Sequence, residues 1–199
     1  APAPPAAPLP LVEVLRGCER DATIYGGVVE SWSFMTLGQP RFGRSSGRWY
    51  YELELRKFEY PQIGWVDEGF TLEDGPSDDG VGDDAHGWAV DGARQRKWHD
   101  GPEPWDEEWP RPVVLGFALD LDSSPRKMLF SADGRWEEAP SFEGLNFEGS
   151  VYPAATGVQA GTFRFAPEDW RYVPPDSSFR ALRLEDGLGS ATLKRTASP

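Results

Sequence analysis

Cysteine is almost absent from this chain: Cys18 is the single one in 199 residues. No internal disulfide can form, so a covalent framework of the secreted type is excluded as a source of stability. Cys18 itself reads as a small buried residue, since no histidine stands beside it in a recognisable nucleophile motif. Histidine is nearly as scarce, and neither His86 nor His99 falls into a Ser-His-Asp, Cys-His or metal-ligand pattern. Long apolar runs are missing too. None approaches the ~20 residues of a bilayer span, so no direct membrane insertion is expected. Positive charge is in deficit, with 20 Lys and Arg against 33 Asp and Glu and a net charge of −13. No basic stripe interleaved with aromatics offsets it, so a phosphate backbone would be repelled and nucleic acid is not an expected partner. The chain begins at Ala1 instead of methionine, which reads as a processed or trimmed end. The compartment is left open, with an intracellular or organellar site favoured over a secreted one.

What is present points to short strands and turns. A hydrophobic content of 39% suits one core, and 19 prolines, 22 glycines and nine tryptophans argue against a helical bundle. The organising stretch starts at Gly47. Trp49, Tyr51, Leu53 and Leu55 alternate with Tyr50, Glu52, Glu54 and Arg56, the pattern of a strand with one side in a core. Gln62 to Val66 reads as a second, neighbouring strand joined to the first through Lys57 to Pro61.

The chain divides into an Ala/Pro-rich extended lead at 1–10, a β-sandwich at 11–175 and a mobile tail at 176–199. Val28, Trp32 and Phe34 share one strand parity near the start of the sandwich, and Thr36 to Ser46 is a crossing loop. Eight carboxylates fall between Val66 and Asp84 without the ligand spacing of an EF-hand loop. Glu73 to Gly80 is therefore expected as a flexible acidic loop, with Asp83 and Asp84 held by backbone donors and no metal site. Gly87 to Asp91 and Gln95 to His99 form a hairpin. Pro102 to Pro112 is a proline-stiffened loop whose Trp105 and Trp109 either cap the sandwich or present aromatic area to a partner. Val113 to Leu121 is the cleanest strand, and Asp120 and Asp122 read as strand-end and turn residues. Lys127 to Ala132 pairs next through an Asp133-Gly134 turn. Val151 to Ala155 and Thr162 to Ala166 are separate strands around a Gln159 to Gly161 loop, and Phe179 to Leu184 is a candidate helical turn.

With Gly82-Asp83-Asp84, Trp88-Ala89-Val90-Asp91-Gly92, Trp98-His99-Asp100-Gly101 and Val114 to Asp122 following in order, the Gly47 stretch resembles the SPRY (B30.2-like) domain family. The resemblance implies a bent sandwich of two antiparallel sheets, all-β and related to the concanavalin-like jelly roll. It also implies a protein-interaction module without catalytic activity or cofactor. Specificity would sit in the loops Thr36 to Ser46, Glu73 to Gly80, Pro102 to Pro112 and Gln159 to Gly161. Family peptide pockets use an arginine and a proline in the first loop, to which Arg41 and Pro40 answer, and an aromatic in the second. No aromatic lies between Thr71 and Asp84. The expected partner-binding residues are thus Pro40, Arg41, Trp105, Trp109 and Gln159. The leading function is protein binding, as an accessory or scaffolding subunit of a larger, multisubunit assembly. Carbohydrate binding on Trp105 or Trp109 is the alternative, and hydrolysis the weakest.

Overall fold

The computed structural model describes residues 6–184. The strands are β1 (Glu13–Gly17), β2 (Ala22–Tyr25), β3 (Val28–Ser31), β4 (Thr36–Gly38), β5 (Arg48–Asp67), β6 (Glu73–Asp74), β7 (Gly87–Asp91) and β8 (Arg96–Trp98). They continue with β9 (Pro102–Pro104), β10 (Val113–Asp120), β11 (Lys127–Ala132), β12 (Arg135–Trp136), β13 (Phe142–Glu143), β14 (Val151–Arg164) and β15 (Arg180–Ala181). Short 3-10 turns are the helical elements among the described residues.

All strands join one hydrogen-bonded sheet, and two of them fold it into two layers. β5 and β14 pair antiparallel from Val151 opposite Asp67 to Arg164 opposite Glu52. The first half of β5 pairs with β10 and the second half of β14 with β3, giving the layer β12-β11-β10-β5-β14-β3-β2. The second half of β5 pairs with β7 and the first half of β14 with β4, giving the layer β9-β8-β7-β5-β14-β4-β1-β6. The result is a β-sandwich, as the alternation predicts, and it is bent, as the family resemblance implies.

The bend is sharp. Tyr51 and Gly64 are 13 residues apart on β5, yet the Tyr51 hydroxyl donates to the Gly64 carbonyl at 2.6 Å. A straight strand would separate them by ~40 Å. At the corner Tyr60 (φ 49°) and Gly157 (φ 77°) both take left-handed backbone, and the β5–β14 register shifts between Thr156 and Gly161. Gly157 suits that conformation because it has no Cβ, and a Cβ there would run into the Glu59 and Tyr60 carbonyl oxygens. Pro61 follows at the turn of the strand, where its missing N–H interrupts the ladder.

Between the layers the inward residues of each strand meet. Tyr51 stacks on Phe117 at 4.6 Å and meets Trp65 edge-on at 5.0 Å, and Phe117 in turn meets Phe130 at 5.5 Å. Leu53, Leu55, Ile63, Val113, Leu115 and Leu119 complete the middle of this core.

Several local expectations change. Lys57 to Pro61 and Gln159 to Gly161 are not connectors between separate strands; they are the bends of β5 and β14, which run on through them. The outward face of the first layer is also covered. Tyr50 and Ala118 are buried beneath Phe179 and Trp170, and the Glu52 carboxylate accepts from the Arg171 and Tyr172 amides at 2.7 and 2.8 Å and from the Tyr50 hydroxyl at 2.9 Å. Phe179 to Leu184, expected as a helical turn in a mobile tail, instead supplies β15, parallel to Trp49 and Tyr50, with Phe179, Ala181 and Leu182 buried. At the start of the sandwich the buried residues of β3 are Val29 and Ser31, while Val28 and Trp32 face outward. Glu73–Asp74 and Pro102–Pro104, expected as loop, each pair with a neighbouring strand. Residues 1–5 of the lead and 185–199 of the tail lie outside the described residues.

Phe117→Ala should lower the unfolding free energy by about 3 to 5 kcal/mol in a urea titration. A loss below about 1 kcal/mol would place that ring outside the core. A glycine pair tests the corner. Gly144 (φ 70°) has open space where a Cβ would go, so Gly144→Ala should cost only the left-handed backbone penalty of about 1 to 2 kcal/mol. Gly157→Ala adds the collision with the β5 carbonyls and should cost clearly more. Equal losses would show that the corner gives way freely.

Candidate partner-binding site

The corner of β5 and β14 does more than turn the sheet. It pushes Tyr60 out of the pleat, and the ring is 56% exposed. The connection from β3 to β4 crosses the same corner and presents Trp32, which is 63% exposed. That connection is anchored from below. Ser31 Oγ donates to the Val158 carbonyl at 2.7 Å, the Gly157 amide to the Met35 carbonyl at 3.2 Å, and the Trp32 amide to the Asp21 carbonyl at 3.1 Å. Trp32, Ser33, Phe34, Glu59, Tyr60, Gly157 and Gln159 together line a concavity of about 180 Å³. Gln159 Nε2 donates to Glu59 Oε2 at 3.1 Å within the lining. Exposed aromatics on a hydrogen-bonded frame, rimmed by a carboxylate and an amide, make a surface suited to binding.

Of the residues singled out from the sequence, this site takes in Gln159 alone. Pro40 and Arg41 sit in a 3-10 turn whose N-terminus is capped by the Gln39 side chain, accepting from the Arg41 amide at 3.2 Å. Pro40 is half-buried and Arg41 exposed, and neither lines the concavity. Trp109, which was open between cap and anchor, is a cap. It is 6% exposed, its ring covers Gly92, and it meets Phe58 and Trp105 edge-on, each at 6.1 Å. Trp105 is half-buried against it. Trp109 therefore offers no platform to a sugar or a partner. Trp32, Glu59 and Tyr60 are the residues that sequence reasoning missed. The signal available was the shared strand parity of Val28, Trp32 and Phe34, which does not say which face is the buried one.

A second concavity, about 620 Å³, is lined by Asp67, Glu68, Gly69, Ala85, His86, Asn146, Phe147, Glu148 and Gly149. Two of its carboxylates, Asp67 and Glu68, are committed to the fold. Burial pushes the Asp67 carboxyl up from its ordinary value, against hydrogen bonds from the Gly69 amide and His86 Nδ1 that favour its charged form. Glu68 Oε1 accepts from the Ser150 amide and hydroxyl at 3.0 and 2.7 Å. As expected for turn residues, Asp83 Oδ2 accepts from the Gly80 amide at 2.6 Å and Asp84 Oδ1 from the His86 amide at 2.8 Å. Asp120 accepts from the Asp122 and Ser123 amides, and Asp122 from the Gly47 amide. The His99 ring stacks on Trp88 at 4.7 Å, with Nδ1 against the Gly87 carbonyl. Among the described residues no serine, threonine or cysteine side chain bonds either imidazole.

The family model for the SPRY domain matches residues 48–167. The chain is also similar to the E3 ubiquitin-protein ligase RKP of Arabidopsis thaliana, at 30% identity over 95 residues. That match covers 48% of this chain and 7% of the plant protein, so the chain spans a small fraction of that relative's length.

Because Trp109 closes the core, Trp109→Ala should behave as a cavity mutation, losing about 3 to 5 kcal/mol of stability in chemical denaturation. A variant with unchanged stability would mean that the ring lies on the surface.

Proposed function

From its membership of the SPRY domain family, which the match over residues 48–167 establishes, we propose that this chain is a non-catalytic module that holds another protein at the corner of its sandwich, as an accessory or scaffolding part of a larger assembly. SPRY domains commonly act as protein-interaction modules. The observation that carries the reading is the pair of exposed rings, Trp32 and Tyr60, fixed on the bend beside Glu59 and Gln159. Solvated aromatic area of this kind is worth little to a free monomer and much to an interface, where tryptophan and tyrosine supply most of the binding energy. Tyr60 stands on β5, and the short connection that carries Trp32 is hydrogen-bonded to β14, so little ordering free energy opposes association. Ubiquitin transfer is not part of the proposal: the shared segment is 7% of the plant ligase, and the one thiol here, Cys18, has no imidazole bonded to it among the described residues. Carbohydrate binding remains a second reading because the same rings, next to a carboxylate and an amide, fit the face and hydroxyls of a sugar. It moves from Trp105 and Trp109 to this corner.

Co-purification from the native source, with the full chain and a Trp32→Ala/Tyr60→Ala variant, tests the reading. The variant should keep the melting temperature, since both rings are exposed, and lose the partner. Equal recovery would remove this corner as the interface, and binding of a glycan in place of a protein would favour the second reading. Trimming from 176 should lower stability, because Phe179 and Leu182 go with the cut.

A further inference from the structure

Resting on that reading, we infer that the concavity takes an arginine side chain from an extended, basic segment of the partner. Three aromatic residues line it, Trp32, Phe34 and Tyr60, with one carboxylate, Glu59, and no lysine or arginine. No ring contact to another aromatic or to a cation occupies Trp32 or Phe34 among the described residues. Among the described residues Glu59 receives one hydrogen bond, from Gln159 to Oε2, which leaves Oε1 without a donor there. The Gln159 bond also ties the carboxylate to the lining of the concavity. A guanidinium matches both features at once. Its planar face stacks on an indole or phenol ring, and its N–H edge donates to a carboxylate oxygen while carrying the opposite charge, which a neutral planar donor lacks.

Tyr60 already behaves this way within the chain. The Arg94 guanidinium stands 5.3 Å from its ring centre while Nε bonds Asp91 Oδ2 at 2.5 Å. Arg94 is thereby tied to its own carboxylate and does not neutralise Glu59. The remaining charge favours the same ligand: a net charge of −13 draws a basic segment in and repels an acidic one.

N-acetyl-arginine amide and its neutral isostere N-acetyl-citrulline amide serve as probes, with the Trp32 indole N–H followed by nuclear magnetic resonance on the full chain. The arginine probe should shift that signal saturably, and citrulline should bind about tenfold more weakly. Glu59→Gln should bring arginine down to the citrulline level while leaving citrulline unchanged. Equal binding of the two probes, indifference of the arginine probe to Glu59→Gln, or absence of any effect at Trp32 would overturn the inference. Partner capture separates it from the parent reading. A protein lost with Trp32→Ala/Tyr60→Ala but retained by Glu59→Gln leaves the binding module standing and removes the arginine. A protein retained by both variants removes the two together.

Discussion

A hydrogen bond within one strand, Tyr51 to Gly64, marks the constraint on which this molecule depends: β5 and β14 must bend together and stay paired on both sides of the corner. Were they to run straight, β10 and β7 would lie end to end along β5 and the aromatic faces on either side would have nothing to cover them. Bent, the two halves lay Tyr51 against Trp65 and Phe117. Each of these rings buries enough surface to matter in a domain whose net stability is of order 10 kcal/mol. The register shifts on β14 and the two left-handed residues are the local conformational expense, and burial of the inter-layer aromatics offsets it.

The acidic composition takes on another meaning in the folded chain. Much of the negative charge is turned inward to the backbone. Glu52, Asp67, Glu68, Asp83, Asp84, Asp91 and Asp120 each accept hydrogen bonds from main-chain amides at a turn, a strand end or a crossing segment. Charge-assisted bonds of this type are stronger than neutral ones and hold chain reversals that a small all-β domain cannot hold by packing alone. Asp91 does so at zero exposure, with Arg94 closing the site. The motifs that suggested the family are thus largely fold determinants, and recognising them says little about a ligand.

How far the sequence could be read follows from the range over which each signal acts. Val113 to Asp120 was legible because its alternation is uninterrupted, as were the Asp133-Gly134 hairpin, where φ is 48° and 78°, and the turn aspartates. These are decided by neighbours in sequence. The continuity of β5 and β14 was not legible, since Glu59-Tyr60-Pro61 and Gly157 carry the same residues that end strands. Burial of Tyr50 and Glu52 was equally hidden, for it depends on residues 170–182 returning across the outer face. A polar residue alternating with aromatics signals a solvated face only when nothing covers it. Trp32 failed for a third reason. Hydrophobicity alone assigns a tryptophan to the core, but Trp32 falls on the parity of Val28 and Glu30, which is the exposed one.

The same corner that hid the site from the sequence also makes it a good one. A strand that bends must expose something at its outer edge, and here the chain exposes Tyr60 instead of a small polar residue, then lays the β3–β4 connection alongside so that Trp32 joins it. The supporting bonds are buried: Ser31 Oγ to the Val158 carbonyl, the Gly157 amide to the Met35 carbonyl and, one step inside, the Thr36 and Thr156 hydroxyls to each other at 2.8 Å. With both rings on such a frame, a ligand bound as we propose would gain stacking and charge with little ordering of the backbone first. The corner that holds the sandwich closed is also the backbone that carries Tyr60 and braces Trp32, so on that reading stability and recognition would be properties of one piece of backbone.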